Sequence, residues 1–432
     1  MRRPRIVISG LGAVTGFGFE WQTLWSEMLL GRHCIRPWQP EGAAGTSFPI
    51  RYAAAVDEQS LPAYLQTHPA WSSELEKRAR YGWVAASQAL TDSRLSSVQW
   101  REVAVLAASG APHHWLSDMQ LAFPDDGDEQ PSWRHVMRRA DQVRRDGALR
   151  QSSDRLARVI ANELGSQGPV LNISSACAGA AQAIGNAFHM LRRGECELAL
   201  AGGADSVLNL DTMTALYLLG AASSETRWGA DLCRPFDAAR AGLVAGEGGA
   251  FLLLETLEHA LARGAEPYAE ILGYGTSLDG YKLTAPEPEG RGASQAMAAA
   301  LDDAGVHPEQ VDLINAHGTS TPLNDRSETL AVKRVFARNQ HYRRLSVSAN
   351  KSQFGHLIAA AGAPEILVTA LSCREDWVTP TLNLNEADPD CDLNYCPNEA
   401  KQQRVDIAIS NSFGFGGLNA SLVLAKYRSE AP

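Results

Sequence analysis

Ser174-Ser175-Ala176-Cys177-Ala178-Gly179 follows the apolar run Val170-Leu171-Asn172-Ile173 and precedes an alanine-rich stretch, Ala180 to Arg193, that Gly194 stops. An apolar run, then small residues, then a helical stretch reads as strand, tight turn and helix. Layered α/β folds are assembled from that unit. A cysteine at such a turn sits at a helix N-terminus, where free N–H groups favour a thiolate and can donate to an oxyanion. Its neighbours Ala176, Ala178 and Gly179 are small enough to let a substrate carbonyl approach. Free cysteines are more often small buried hydrophobes than nucleophiles, so the motif by itself assigns Cys177 no role.

Outward from this point the same rhythm repeats. Ile6 to Ser9, Val103 to Ala107, Leu198 to Ala201, Val311 to Asn315, Leu345 to Ser348 and Val405 to Ser410 are short strand-like runs separated by alanine-rich stretches, which predicts α/β layers. A chain of 432 residues, 45% hydrophobic and 20% charged, is long enough for two large lobes. With a net charge of -10, binding nucleic acid or an anionic membrane surface would require a local basic patch. Neither is an expected partner, and no apolar run reaches the length of a membrane span. The cysteines number seven, scattered without paired short spacings, so they cannot all pair within one chain; a reducing cytoplasm fits. After Met1-Arg2-Arg3-Pro4-Arg5 the apolar stretch is too short for a signal-peptide core. Ala111 to Gly147 is irregular and reads as an insertion or cap. Gly10-Leu11-Gly12-Ala13-Val14-Thr15-Gly16 is not a dinucleotide loop, because its third glycine falls one position late and no acidic residue ends a following strand.

Three further segments carry chemistry-bearing residues. In Asn315-Ala316-His317-Gly318-Thr319-Ser320-Thr321-Pro322, His317 ends a strand, and Thr321-Pro322 reads as a helix cap followed by the first helical position. In Ser348-Ala349-Asn350-Lys351-Ser352-Gln353-Phe354-Gly355-His356, a lysine and a histidine open a helix. That helix, Leu357 to Leu371, carries a single charge, Glu365, and is expected to be buried. Asn411-Ser412-Phe413-Gly414-Phe415-Gly416-Gly417-Leu418-Asn419 joins two apolar strands as a glycine-rich hairpin able to present a backbone N–H and an aromatic gate. Individually, each has a structural explanation: a hydrogen-bonded strand-end histidine, a buried salt bridge, a plain turn.

Taken together and in this order, the segments resemble the thiolase-like condensing enzymes, specifically the elongating β-ketoacyl-acyl-carrier-protein synthases of fatty-acid and type II polyketide or polyene pathways. The likeness spans essentially the whole chain, with Arg234-Pro235-Phe236-Asp237, Gly246-Glu247-Gly248, Gly202-Gly203-Ala204-Asp205, and Asp279 followed by Thr284-Ala285-Pro286 in support. It implies a five-layered αβαβα fold of two similar halves. Residues 1–256 would carry the nucleophile and a cap at about 111–158, and residues 257–432 both histidines.

The resemblance also implies roles. Cys177 would take an acyl group from the pantetheine sulfur of a carrier protein. His317 and His356 would donate hydrogen bonds to the thioester oxygen of malonyl-carrier as its enolate forms. The N–H groups of Cys177 and Phe415 would hold the oxyanion, with Phe415 gating the acyl pocket. Lys351 and Glu365 correspond to polar support for the histidines, and Thr284, Thr319 and Thr321 to contacts with the pantetheine arm. Lys77, Arg78, Arg80, Arg144, Arg145 and Arg227 lie near docking positions for the acidic acyl carrier protein. No metal or redox cofactor is implied, and the unit is a homodimer or a heterodimer with a ketosynthase-like subunit.

Leu418 stands where the family has threonine, Ala359 where it has glycine, and Lys282 where it has histidine. Pro364 replaces an apolar non-proline residue and is expected to remove a donor inside the buried helix and bend it. Two other readings compete. One is a thioester hydrolase with Asp312 or Asp325 orienting His356, and the other a non-catalytic chain-length-factor-like subunit.

Overall fold

The computed structural model describes residues 3–40, 47–60, 76–110, 132–142 and 152–429. Their main sheet has ten strands. In chain order these are β1 (Ile6–Val14), β2 (Ala104–Ala108), β3 (Val170–Ile173), β4 (Leu198–Ser206), β5 (Glu247–Thr256), β6 (Ala269–Leu278), β7 (Leu313–Asn315), β8 (Ser346–Ser348), β9 (Ile407–Gly414) and β10 (Leu418–Lys426). Their spatial order is β8-β7-β9-β10-β6-β1-β5-β4-β2-β3. Numbering the strands separately within each half gives the same order twice, 3-2-4-5-1, with the fifth strand antiparallel to both neighbours. The remaining pairs, β2 with β3 and β4, and β7 with β8 and β9, are parallel. The halves meet where Ile6–Ile8 pairs antiparallel with Ala269–Ile271.

Helices cover the sheet on both faces. α1 (Lys77–Asp92) and α2 (Arg155–Leu164) lie on the outside of the first half, while α4 (Arg291–Ala304), with α5 (Pro322–Val335) against it, lies outside the second. Between the halves sit α3 (Gly179–Arg192) and α6 (Gly362–Glu375), packed against each other and each touching strands of both halves. The succession is helix, sheet, helix, sheet, helix, the five-layered arrangement expected. Small residues permit the close approaches. A Cβ on Gly10 or Gly12 would lie 2.1 or 1.9 Å from a carbonyl oxygen of α1, so the Gly-Leu-Gly run serves helix packing. A Cβ on Gly362 would lie 3.0 Å from that of Ala181, at the meeting of α3 and α6.

One expected element is corrected. The helix read from Leu357 begins at Gly362, after a separate turn at Lys351–Phe354 and a 3₁₀ turn at Ile358–Ala360. Pro364 therefore falls in the first turn of α6, where N–H groups have no intrahelical acceptor, and it neither removes a bond nor bends the helix. Of the expected cap, residues 111–131 and 143–151 lie outside the described residues.

Candidate active site

Both central helices start at equivalent places, each following the third strand of its half, and the two starts face one space. Cys177 lies in the 3₁₀ turn Ala176–Ala178 that leads β3 into α3, and Ala176 takes φ 43° to make the bend. Lys351 and His356 occupy the connection from β8 to α6, while His317 lies just beyond β7. Cys177 is 4% exposed and both histidines 1%. The thiol sulfur and one nitrogen of each ring lie within 4.8 Å of one another. The two rings meet edge to face at 5.4 Å. Sequence positions far apart are thus brought together as expected.

Hydrogen bonds fix the ring tautomers. Ile358 N–H donates to His356 Nδ1 at 3.0 Å, so that nitrogen is an acceptor and the ring proton sits on Nε2. The Lys351 ammonium donates to Glu365 Oε1 at 2.5 Å, to the His317 carbonyl at 2.7 Å and to His317 Nδ1 at 3.2 Å. An ammonium has no lone pair, so His317 too carries its proton on Nε2. Burial, reinforced by the Lys351 charge, holds both imidazoles well below their usual range. The space is therefore presented with two neutral N–H donors. Burial pushes the Cys177 thiol up to about 11, against the pull of Lys351 and of the backbone N–H groups of Phe415 and Cys177; Asp205 adds to the rise. The helix start alone does not make this thiol acidic.

The hairpin arrives as expected, with β9 running to Gly414, a turn at Phe415–Gly417 and β10 from Leu418. A Cβ on Gly414 would lie 3.0 Å from Cys177 N, so glycine leaves room beside that donor. Phe415 is half-buried and packs with Ile358 on one apolar cluster. Gly416 N–H donates to the Leu283 carbonyl at 2.6 Å, strapping the hairpin beside Thr284, which is exposed. Thr319 and Thr321 share a 2.8 Å hydroxyl contact, and Thr321 caps α5 through Asn324 N–H. Leu418 is half-buried against the main core, Ala359 is fully buried, and Lys282 is exposed over the Tyr281 ring.

Glu328 was missed from the sequence. It is buried on α5 and accepts from His317 N–H at 2.8 Å and Gly318 N–H at 2.9 Å. Burial pushes its carboxyl up to about 7, with those N–H bonds opposing. A signal existed, because Asp325, Glu328, Thr329 and Val332 recur at helical spacing on one face. That the three polar residues of this face are buried follows from tertiary packing alone.

The expected docking residues divide. Arg78 is corrected: it is 1% exposed and bonded to Glu76, to the Gly110 carbonyl and to the Ser152 carbonyl, so it offers no charge to a partner. Arg80 is half-buried beside Glu58, and Lys77 reaches Glu247 at 3.5 Å. Arg227 is exposed, pairs with Glu225 and lies over Trp228. Arg144 and Arg145 lie outside the described residues.

A thiol with two imidazoles is also a donor set for zinc. Here the Lys351 ammonium, 3.2 Å from His317, opposes a second cation. The hydrolase arrangement does not assemble. Asp312 accepts from Asp406 and Ile407 N–H, Asp325 from Phe236 and Thr319 N–H, and His356 Nδ1 is taken by Ile358.

A duplicated five-layer α/β fold with cysteine and histidine at the facing helix starts defines the thiolase-like condensing class. The β-ketoacyl synthase N-terminal domain model matches residues 3–260, and the C-terminal domain model residues 268–385. The 3-oxoacyl-[acyl-carrier-protein] synthase 2 of Synechocystis sp. is 35% identical over 431 residues, 99% of each chain. Among solved structures, the ishigamide ketosynthase/chain length factor superposes with a TM-score of 0.86 at 31% identity, covering 99% of this chain and 100% of that one. A type II polyketide ketosynthase, in complex with its acyl-carrier protein and bound to the hexaketide, gives 0.86 at 28% identity, with 99% and 100% covered. The chain belongs to the β-ketoacyl synthase family, and its relatives place it with the type 2 synthases.

Proposed function

We propose that this protein is a β-ketoacyl-acyl-carrier-protein synthase that extends an acyl chain by two carbons through an acyl-Cys177 intermediate. The observation that carries this reading is the convergence of a thiol and two neutral, tautomer-fixed Nε2–H imidazoles in one buried space. In the first step the Cys177 sulfur attacks the acyl thioester. The acyl–sulfur bond to pantetheine breaks, and the thiol proton ends on the departing pantetheine sulfur. The tetrahedral oxyanion is held by the N–H groups of Cys177 and Phe415.

In the second step malonyl-carrier loses carbon dioxide, and the electron pair of the broken bond becomes an enolate. Its oxygen accepts from Nε2–H of His317 and His356, donors set in place before charge develops. The enolate carbon attacks the acyl-Cys177 carbonyl, releasing β-ketoacyl-carrier; the thiolate regains one proton from solvent. Lys351 and Glu365 hold His317 in its tautomer. Phe415 gates the acyl pocket, and Thr284, Thr319 and Thr321 guide the pantetheine arm. Neither a metal nor a redox cofactor takes part, since the substrates arrive on phosphopantetheine.

The acyl carrier protein is the proposed partner, with Lys77, Arg80, Arg144, Arg145 and Arg227 as its basic contacts. A second ketosynthase-like subunit, identical or different, is proposed to pair with β3. That terminal strand leaves Val170 and Leu171 at 42% and 40% exposure, whereas β8 at the other end of the sheet is buried. We place the division between the halves at residues 256 and 257, the enzyme in the cytoplasm, where its free cysteines stay reduced, and its pathway in fatty-acid or specialised polyketide or polyene synthesis. Among the described residues no helix is long and apolar enough to cross a membrane.

Retention of the whole constellation argues against a non-catalytic subunit. The test incubates the protein with malonyl-carrier and a panel of acyl-carriers, weighing Cys177 adducts and products. Acyl-Cys177 and a product longer by two carbons are expected. Intact substrates with no extension would overturn the proposal, and release of free acid without extension would favour a hydrolase.

A further inference from the structure

Beneath the nucleophile lies a group of buried charges that the condensation steps above do not use. Arg78, in the first turn of α1, is 1% exposed, and Glu76 beside it is 7% exposed. Burying a guanidinium is costly unless its donors find acceptors. Arg78 meets that condition with Nε to Glu76 at 2.5 Å, Nη1 to the Gly110 carbonyl at 2.9 Å and Nη2 to the Ser152 carbonyl at 3.3 Å. Gly110 and Ser152 are brought together by the same cation, and Ser109 Oγ donates to the Ser153 carbonyl at 2.8 Å beside them.

Asp205, at the end of β4 and 2% exposed, lies on the other side of Gly110. A Cβ on Gly110 would fall 2.5 Å from Asp205 Oδ2, so the glycine allows carboxylate and guanidinium to share it. Each oxygen of Asp205 has a backbone donor: Oδ1 accepts from Ser206 N–H at 2.9 Å, and Oδ2 from Ala359 N–H at 3.1 Å. Ala359 belongs to the turn Ile358–Ala360, and Ile358 N–H is the group that fixes the tautomer of His356. In that turn Ile358 is held at φ 46°, a conformation that a β-branched residue keeps only when its surroundings impose it. Burial raises the Asp205 carboxyl to about 6; the Ala359 N–H bond, the Arg78 charge and the Ser206 N–H bond oppose that rise, and the Glu76 charge adds to it.

We infer that Arg78 is a positioning residue for the condensing site: its guanidinium, bonded to the Gly110 carbonyl, faces Asp205 across Gly110 and keeps that carboxylate on Ala359 N–H, and with it the turn that orients His356. The couple touches no reacting atom. Its role rests on the proposed part played by His356, and the partner it acts through is a backbone amide whose protection can be measured without any turnover.

The variants are Arg78→Met, Asp205→Asn and the double variant, with Arg78→Lys as a fourth that keeps the charge. Hydrogen exchange read by mass spectrometry should show the amides of 358–360 exchanging at least tenfold faster in Arg78→Met and Asp205→Asn, with β4 and β5 unchanged. The kcat for two-carbon extension should fall about tenfold or more, with KM for the carrier substrates within twofold. In the double variant the loss should be smaller than the product of the single losses, because each side removes the same link. Unchanged exchange at 358–360, multiplicative losses, or a rise in KM alone would overturn the inference, the last by returning Arg78 to carrier docking. Should Arg78→Met fail to fold, Arg78→Lys decides by the same exchange and kinetic measurements. A wild-type protein that makes no extended product would overturn the proposed reaction, while the exchange result would still judge the couple.

Discussion

Glu328→Gln removes one negative charge and almost no volume from beneath His317. The carboxylate now meets two backbone donors, His317 N–H at 2.8 Å on Oε1 and Gly318 N–H at 2.9 Å on Oε2, with Asn411 Nδ2 at 3.3 Å also on Oε1. A glutamine amide has one acceptor atom. Whichever way it is turned, one backbone N–H is left facing an NH₂ group. An unsatisfied buried donor costs about 1–3 kcal/mol. If that cost appears as misplacement of His317 in the transition state, extension slows about five- to 150-fold at 1.36 kcal/mol per decade. Acylation of Cys177 should stay within about threefold, because Glu328 makes no bond to Cys177. Single-turnover mass spectrometry separates the two steps by following acyl-Cys177 and extended product in one reaction. pH supplies a second reading. The Glu328 carboxyl is raised from its ordinary value to about 7, so its ionised, accepting form is present above that pH and lost as pH falls through it. Wild-type extension should therefore have a steeper acid limb than the variant. Equal loss in both steps, or limbs of equal steepness, would refute Glu328 as the support of His317.

At pH 8, iodoacetamide should modify Cys177 about a hundredfold more slowly than an unperturbed thiol, since its value is raised from 9.0 to about 11. The rate should climb about tenfold per pH unit to pH 10; peptide mass spectrometry would read it, and parity with a small thiol would refute burial as the controlling factor. Lys351→Met leaves Glu365 buried without its cation, and should lower unfolding stability by about 3–5 kcal/mol. Adding Glu365→Gln should restore part of that stability in denaturant melts, and additive losses would show that the two do not act as a pair. Leu171→Lys places a charge on the open β3 edge and should turn the proposed dimer to monomer in light scattering; an unchanged mass would remove that edge as the pairing surface.

Strand, turn and helix around Cys177 were legible because small residues and an alanine-rich run mark them locally. His317, Lys351, His356 and Glu365 were legible through their order and residue types. β5 and β6 were not read as strands. The first is a buried leucine run that periodicity cannot tell from a helix, and the second is broken up by Gly273 and Gly275, which leave room for α4. The start of α6 was misplaced because nothing local marks Ile358 as left-handed; His356 Nδ1 and Asp205, both remote from one another in sequence, hold the turn. Arg78 looked like a surface cation among Lys77 and Arg80, and only Gly110 and Ser152, brought in by the fold, show it buried.

α3 and α6 meet through Ala181 and Gly362, and a Cβ on Gly362 would also come within 2.7 Å of Ser412 Oγ. The thiol rides at the start of one helix and His356 just before the other, so the distance between reacting groups is set by the thickness of a methyl group. A single added methylene at that contact would press the two helices apart, and thiol from imidazole with them. In this molecule the residues least able to drift are therefore among its plainest.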